Sequence, residues 1–308
     1  IGKCANGIAD DMLTSTILAC QCPVYFAPAM NDRMYVNSIV QENMEKLRRH
    51  GWHQIDPVSG HLACGTDGLG KMPDPKALYQ YVRRELAFPH DLAGMKVLVT
   101  AGATQEAIDP VRYITNHSSG RMGYAVAEAA MLRGAEVTLV SGQTALVPPP
   151  FVERVPVVSA EDMFREVTAR APEMDFVIKA AAVADYTPEE TADHKIKKAD
   201  GELSIRLRRT KDILAFLGEH KPAGQLLCGF SMETENLIEN SRGKLFRKNL
   251  DMIAANSLKT PGAGFQGETN VLTLITRDAE IPLPLMSKFE AAGKLLDTLL
   301  AMRKERNG

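Results

Sequence analysis

The sequence predicts an α/β protein whose main part is a doubly wound, Rossmann-like parallel sheet. Three observations carry that expectation. From Lys96 onward, short β-branched runs alternate with amphipathic stretches, the signature of strand–helix–strand units. The first run, Lys96 to Thr100 (K-V-L-V-T), feeds a glycine-containing loop, as the first strand of such sheets does. Before Gly94 the rhythm differs, with a glycine-rich irregular stretch from Gly60 to Pro75, so a separate, shorter domain precedes the sheet.

Taken in order, residues 9 to 20 (A-D-D-M-L-T-S-T-I-L-A-C) place apolar side chains at helical spacing. Pro23 to Met30 (P-V-Y-F-A-P-A-M) reads as a short buried strand. Ser38 to His50 is an amphipathic helix that Gly51 ends, and a further helix starts at Pro75 and runs to about Arg84. Ala87 to Gly94 has linker character, which divides the chain into residues 1–90 and 91–308. Beyond the first strand, a helix is expected from about Met122 to Arg133, closed by Gly134. Strands follow at Glu136 to Ser141, Arg154 to Val158 and Phe176 to Ala180, with a helix from Glu161 to Arg170. The tail breaks the rhythm, with strands at Ser204 to Leu207 and Val271 to Thr276 and a helix from Lys288 to Glu305. Ligands of doubly wound sheets bind beyond the C-terminal strand ends, which favours loops 101–121, 141–150 and 181–198.

The 308 residues, 45% hydrophobic and 24% charged, suffice for two domains with their own cores. A net charge of -2 offers no overall attraction for nucleic acid or anionic membrane. Apolar runs such as Val24 to Met30 are too short to span a bilayer, and no signal peptide is visible. The five cysteines, at 4, 20, 22, 64 and 228, fit neither a zinc site nor a disulfide framework, which suits free thiols in a cytoplasmic protein. Ile1 leads directly into a helical stretch, without an initiator methionine or a preceding strand, so the chain reads as cut at its N-terminus.

Chemistry concentrates at the expected strand ends. Ser118-Ser119-Gly120-Arg121-Met122-Gly123 brings hydroxyls, free N–H groups and a base to a helix start. That makes an anion site, or equally a capped helix with a flexible loop. The G-x-G-x-x-G dinucleotide fingerprint is absent. Arg112 offers a planar fork for a carboxylate or phosphate, and Asn116 can hold a tetrahedral or mixed-anhydride species. His117 reads as a general base or as a structural loop histidine. Ala180-Ala181-Ala182-Val183-Ala184-Asp185-Tyr186 leaves room for a flat ring, with Asp185 as a hydroxyl or Mg²⁺ ligand or as a helix cap. Lys195-Ile196-Lys197-Lys198 reads as a triphosphate clamp or a solvated face. Lys244 and Lys248, four apart, share one helix face and equally form a surface stripe.

Together these motifs resemble the ligase half of the bifunctional coenzyme A biosynthesis flavoproteins, phosphopantothenoylcysteine decarboxylase/phosphopantothenate–cysteine ligase. The resemblance runs from Lys96 nearly to the C-terminus. It rests on V-T-A-G-A-T-Q-E-A-I-D-P-V-R-Y-I-T-N-H-S-S-G-R-M-G, A-A-A-V-A-D-Y, K-I-K-K and G-F-S-M-E-T. It implies that 4'-phosphopantothenate attacks the α-phosphate of CTP, and that L-cysteine then displaces CMP from the acyl-cytidylate. Asn116 and Arg112 would hold the phosphopantothenate and its acyl-cytidylate, with Lys195 as the catalytic lysine. Asp185, Ala180, Ala181, Phe230, Lys244 and Lys248 would line the CTP site with Gly102 and Lys179. The Lys211-Asp212-Ile213-Leu214 turn would contact CTP as well, although family members usually carry proline at the position of Lys211. The resemblance implies Mg²⁺ as cofactor, without naming its ligands, and pairing of ligase domains as homodimers.

Residues 1 to about 86 resemble the second half of the family's flavodoxin-like, FMN-dependent decarboxylase domain. Pro28-Ala29-Met30-Asn31-Asp32-Arg33-Met34 looks like its substrate motif and Ala63-Cys64-Gly65 like its flap. Met30 and Asn31 would then bind substrate, Asn31 at the carboxylate, and Cys64 would protonate the enethiolate. The family's catalytic histidine, first strand and much of the FMN site would lie upstream of Ile1. The chain as given is therefore expected not to decarboxylate, whereas longer forms would do so in trimeric decarboxylase cores. Two other readings compete: an NAD(P)-dependent Rossmann oxidoreductase, weakened by the missing fingerprint and by Ser141-Gly142-Gln143 ending the second strand, and a non-catalytic fragment.

Overall fold

A computed structural model of the chain describes residues 1–62, 65, 67–197, 203–233, 236–257 and 267–307. Cys64, Lys198 and Thr234, singled out above, lie outside the described residues. The chain divides into two compact units, Ile1–Arg83 and Arg84–Gly308.

The first unit is small and holds more helix than strand. Its helix Met12–Ala19 starts later than the periodicity suggests, because Asp11 accepts from the Thr14 N–H and Thr14 reciprocates in a capping box. The helix Ser38–Arg49 is capped by Asn37, which accepts from the Ile39 N–H. Between them, the expected strand shrinks to Tyr25–Phe26, which pairs in parallel with His53–Gln54. Pro23 and Pro28 flank that pair and cannot donate to a ladder. A hairpin joins Val58–His61 to Asp67–Lys71.

The second unit is built on one eight-stranded sheet: β1 (Lys96–Ala101), β2 (Glu136–Ser141), β3 (Val152–Pro156), β4 (Phe176–Lys179), β5 (Leu226–Glu233), β6 (Met252–Ser257), β7 (Leu272–Thr276) and β8 (Glu280–Pro282). The spatial order is β3-β2-β1-β4-β5-β6-β7-β8. The first six strands run parallel. β7 is antiparallel to β6, and β8 to β7. The edges are thus β3, which ends in Pro156, and the exposed three-residue β8, which ends in Pro282. The tail strand expected at Ser204 to Leu207 forms instead at Leu207–Arg209, in a separate ribbon with Tyr186–Pro188.

Among the described residues, five helices flank the sheet: α1 (Arg121–Leu132), α2 (Ala160–Arg170), α3 (Ile213–Glu219), α4 (Leu237–Arg247) and α5 (Lys288–Asn307). Strand alternation sends successive side chains to opposite cores. Val97 and Val99 pack with Val126 and Ala130 of α1 and with Leu295 and Leu299 of α5. Leu98 faces the other way, against Val167 of α2, Leu217 of α3 and Leu245 of α4. With both faces covered, β1, β2 and β4 are buried almost throughout, whereas the edge strand β3 is not. The helix α1 lies unusually close to β1, because Gly123 has no side chain. A Cβ there would stand 2.6 Å from the Ala101 Cβ and 2.8 Å from the Thr100 carbonyl oxygen.

Candidate active site

The C-terminal ends of β1 and β4 are laced together by two buried threonines. The Thr100 hydroxyl accepts from the Ala181 N–H at 3.1 Å, and that of Thr104 from the Ala184 N–H at 3.0 Å. The Ala182 N–H donates to the Gly102 carbonyl at 2.8 Å. The A-G-A-T and A-A-A-V-A-D-Y segments therefore form one fixed rim. Gly102, at φ +73°, makes the turn that permits it. Gly120 (φ +76°) lies against this turn, and a Cβ on it would stand 3.3 Å from the Gly102 nitrogen. In space, Gly102, Gly120 and Gly123 thus occupy the tight-turn, helix-start and helix-packing positions of a dinucleotide fingerprint. The intervening chain 103–119 hides this spacing from sequence.

Part of that intervening chain is a hairpin, Gln105–Ala107 with Tyr113–Thr115. At its tip the buried Asp109 carboxylate accepts from the N–H groups of Val111 (2.8 Å) and Arg112 (2.9 Å), from Nε of Arg112 (2.9 Å) and from the Ile196 N–H (3.2 Å). Arg112 holds its carboxyl far below the usual carboxylate range. Arg112 also donates to the Ile196 carbonyl at 3.0 Å. Arg112 lines neither cavity described below; it clamps the segment that carries Lys195 and Lys197. Lys195 itself is exposed and lines neither cavity. Asp109 escaped the sequence reading, although an Asp-Pro turn followed two residues later by arginine is a recognisable local pairing.

A first cavity of about 480 Å³ opens at the start of α1. It brings together Asn116, which the resemblance gives to phosphopantothenate, and Ala180, Ala181, Asp185, Phe230 and Lys244, which it gives to CTP, and His117 lines it too. Asn116 is oriented by donating through Nδ2 to the Val183 carbonyl at 3.1 Å. The inner wall holds residues that sequence reasoning missed. Asn256, at the end of β6, is 7% exposed, and among the described residues its Oδ1 has no hydrogen-bond partner. Asn270 and Lys288 are buried beside it, with Nζ of Lys288 donating to the Gly267 carbonyl at 2.6 Å. Burial lowers the Lys288 ammonium, and Arg121 adds to the effect. Arg121 pairs with Glu268. The signal for Asn256 was present: an asparagine closing the apolar run M-I-A-A is a buried polar group in need of a partner.

A second cavity of about 520 Å³ shares the wall Ala181, Val183 and Asp185 with the first. Lys179, Lys211, Asp212, Ile213, Leu214 and Lys248 line it. Asp212 caps α3 by accepting from the Ala215 N–H at 3.1 Å and pairs with Lys248 at 2.7 Å. Nζ of Lys211 is held by Glu161 at 2.7 Å and lies over the Phe164 ring, so the departure from proline adds an anchor to α2. Lys179 is 8% exposed, and burial draws its ammonium down to about 8. Among the described residues no three His, Cys, Asp or Glu side chains converge on a metal position. Asp185 is the carboxylate that borders both cavities.

In the first unit, Asn31 caps the helix Asp32–Tyr35 by accepting from the Arg33 N–H. The Met30 N–H donates to the Gly70 carbonyl at 2.9 Å. A Cβ on Gly70 would stand 2.2 Å from the Met30 oxygen, so the P-A-M-N motif lies directly against the hairpin 58–71. A cavity of about 420 Å³ in this unit is lined by Cys4, Cys20, Cys22, His50 and Trp52 among others. None of the described helices is long and apolar enough to cross a membrane.

Residues 92–302 match the family described as DNA/pantothenate metabolism flavoprotein C-terminal domain. Residues 1–87 match the flavoprotein family. The chain is 46% identical to the coenzyme A biosynthesis bifunctional protein CoaBC of Bacillus subtilis, over 99% of this chain and 76% of that protein. It is 41% identical to the Escherichia coli protein of the same name, over 100% of this chain and 76% of that protein. A cysteine/cysteine sulfinic acid decarboxylase of an unknown prokaryotic organism is 45% identical, over 98% of this chain and 86% of that protein. A crystal structure of the C-terminal domain of a CoaBC protein superposes with TM-score 0.61 at 45% identity, covering 70% of this chain and 99% of that one. The DNA/pantothenate metabolism flavoprotein of Streptococcus pneumoniae does so with TM-score 0.60 at 28% identity, covering 68% of this chain and 100% of that one. With its fold, its strand-end motifs and its matches pointing the same way, the chain belongs to the family of bifunctional coenzyme A biosynthesis flavoproteins.

Proposed function

We propose that the unit Arg84–Gly308 is a doubly wound, Rossmann-like ligase that joins 4'-phosphopantothenate to L-cysteine at the expense of CTP. The observation that carries this reading is the pair of cavities sharing the wall Ala181, Val183 and Asp185. Two substrates seated on either side of one wall can react across its rim. The first cavity joins Asn116, the proposed phosphopantothenate contact, to Ala180, Phe230 and Lys244, proposed CTP contacts; N–H groups at the start of α1 suit an anion, and Asn256 Oδ1, without a partner among the described residues, seeks a donor such as an amide or hydroxyl. The second, with apolar walls and lysines, suits the nucleotide.

In the first step a substrate carboxylate oxygen attacks the α-phosphorus of CTP. The bond to the β-phosphate oxygen breaks, and pyrophosphate leaves with the electron pair. In the second step the cysteine amine attacks the acyl carbon, the acyl–phosphate bond breaks, CMP leaves and the amine loses a proton. Asn116, at the rim, orients the acyl group. Lys195 and Lys197, on the segment clamped by Asp109 and Arg112, offset charge on the phosphates. Mg²⁺, which the family resemblance implies, would be held by Asp185 together with the phosphates of the nucleotide, since Mg²⁺ needs few protein ligands when phosphates supply the rest, and it would offset charge at the α-phosphate. Gly102 and Phe230 shape the turn and the wall, and Lys244 and Lys248 add positive charge.

Against an NAD(P) oxidoreductase stands the end of β2. Gly142 abuts the loop after β1, where a Cβ would stand 2.1 Å from the Ala103 oxygen, and no carboxylate ends the strand to receive a ribose. The fragment reading predicts an inert protein. Pyrophosphate release with phosphopantothenate and Mg²⁺ tests all three, comparing CTP with ATP, with and without cysteine. Sustained release that needs CTP and cysteine, and that is lost in Asn116→Ala and Lys195→Gln, supports the ligase. Absence of release from folded protein with either nucleotide rejects it. The proposal carries a cytoplasmic setting and a homodimer, which light scattering checks. We propose FMN-dependent decarboxylation of phosphopantothenoylcysteine as the second activity of the whole protein, with Asn31 and Cys64 in the roles that the family resemblance implies; formation of 4'-phosphopantetheine tests it.

A further inference from the structure

Two thiols of the first unit stand side by side at its surface. Cysteine is among the residue types most often buried, yet Cys20 and Cys22 are both free and exposed. Gln21 alone separates them. Cys20 ends the helix Met12–Ala19, its N–H donating to the Ile17 carbonyl, and Pro23 follows Cys22 directly. The segment is thus pinned at one end by a helix and at the other by a ring that fixes the backbone. Between these anchors the chain bends at Cys22. The Cys20 sulfur accepts from the Cys22 N–H and lies in hydrogen-bonding contact with the Cys22 thiol. Both line the cavity of about 420 Å³, together with Cys4 and His50. No metal position among the described residues uses them, and neither belongs to the substrate motif at 28–34.

We propose that Cys20 and Cys22 form a redox-modification site, a dithiol that closes to an intramolecular disulfide by exchange with a small disulfide such as oxidised glutathione. Exchange runs in two steps. The Cys22 thiolate attacks one sulfur of the reagent, the reagent's S–S bond breaks, and the leaving thiolate takes up a proton. Cys20 then loses its proton and attacks the Cys22 sulfur, the mixed disulfide breaks, and the second reagent thiol leaves. Two protein thiols are oxidised to one disulfide, and one reagent disulfide is reduced to two thiols. Partial burial raises the Cys20 thiol, and the adjacent Cys22 adds to the effect. A raised thiol is a poor first nucleophile but serves the second step, where proximity supplies the rate. Cys4 is the competing partner, since it lines the same cavity, half-buried in the helix Gly2–Ala5. A disulfide across a single residue makes a small, strained ring, and strained or exposed disulfides are the easily reduced ones. The site therefore cycles rather than locks. It does so at the joint between a helix and the strand Tyr25–Phe26, which leads into the motif at 28–34.

The experiment uses the full chain, incubated with oxidised glutathione or with dithiothreitol. Free thiols are trapped with N-ethylmaleimide, and peptides are mapped by mass spectrometry without reduction. After the oxidant, the peptide holding Cys20 and Cys22 should carry neither maleimide nor glutathione and weigh two hydrogens less than its reduced form. Dithiothreitol should restore both thiols. In Cys20→Ser the glutathione should stay on Cys22, leaving roughly tenfold or more slowly than from the parent's mixed disulfide. Cys4→Ser should leave the Cys20–Cys22 disulfide unchanged. Maleimide on both thiols after the oxidant, a glutathione on each, or a crosslink from either to Cys4 would overturn the inference. The parent protein alone gives these three outcomes, so they are read even if a variant fails to fold, and none of them depends on the ligase reading.

Discussion

Replacing Asp109 by asparagine removes one charge and should loosen two distant segments together. The carboxylate receives N–H donors from Val111, Arg112 and Ile196 and the side chain of Arg112. An asparagine can keep one oxygen toward the turn, but its amide nitrogen then faces the guanidinium and the Ile196 N–H, donor against donor. Hydrogen bonds to charged groups are worth about 1.5–3 kcal/mol each. The Arg112 side chain is 41% exposed and recovers part of its loss in water, so the net cost is about 2–3 kcal/mol. For a unit of this size that lowers Tm by about 5–10 °C. Calorimetry reads the Tm, and hydrogen exchange of residues 186–197 reads the release of the segment carrying Lys195. If Lys195 works only where Asp109 and Arg112 hold it, Asp109→Asn and Lys195→Gln should each slow pyrophosphate release, and the double variant should be little worse than Lys195→Gln alone. A Tm within 1 °C of the parent, unchanged protection of 186–197, or fully additive losses would refute the clamp.

Gly123→Ala should cost about 2–3 kcal/mol, because the new Cβ meets the Ala101 Cβ at 2.6 Å and the Thr100 carbonyl at 2.8 Å; denaturant melts check this. Arg133→Leu should cost about 1–3 kcal/mol, since this guanidinium, only 9% exposed, bridges Asp91 and Asp297; the two carboxylates then rehydrate, and melting gives the loss. Lys179→Met should stabilise the unit at pH 7. Holding an ammonium that titrates at about 8 rather than 10.5 costs the folded state about 3 kcal/mol. Between those pH values the unfolded chain binds more protons than the folded one, so the parent gains stability as pH rises while the variant does not. The two melting curves should therefore converge toward pH 10.5, and a variant less stable than its parent at pH 7 would contradict this.

Much of the sheet was legible because its strands are short, β-branched and separated by amphipathic helices. β2 forms at the residues expected, and β1, β4 and β7 within one residue of them. β5 and β6 escaped because Leu226-Leu227-Cys228-Gly229-Phe230 and Met252-Ile253-Ala254-Ala255 are poor in the β-branched residues that mark β1, β2 and β4, and short apolar runs without them fit a buried helix as well as a strand. The site was partly legible for a different reason. Asn116 and Asp185 reach the first cavity from loops next to their strands and Phe230 from within β5, whereas Asn270 closes a two-residue strand and Lys288 opens α5 in the C-terminal tail. No local pattern announces that this tail returns to the start of α1. Arg112 shows the opposite limit: its residue type suggested a ligand contact, yet it is turned toward Asp109 by three residues of local geometry that spacing alone does not reveal.

The two free edges of the sheet carry a further consequence. β8 is three residues long, and β3 sets Glu153 and Arg154 at the solvent edge; each strand stops at a proline. Neither offers an uninterrupted row of backbone donors and acceptors, so a neighbouring copy cannot extend the sheet strand by strand. A homodimer of the kind proposed would therefore not form by extending this sheet. Assembly is then a matter of surface chemistry that mutation can tune, and concentrated solutions during refolding are guarded against growth of a continuous fibre along the sheet.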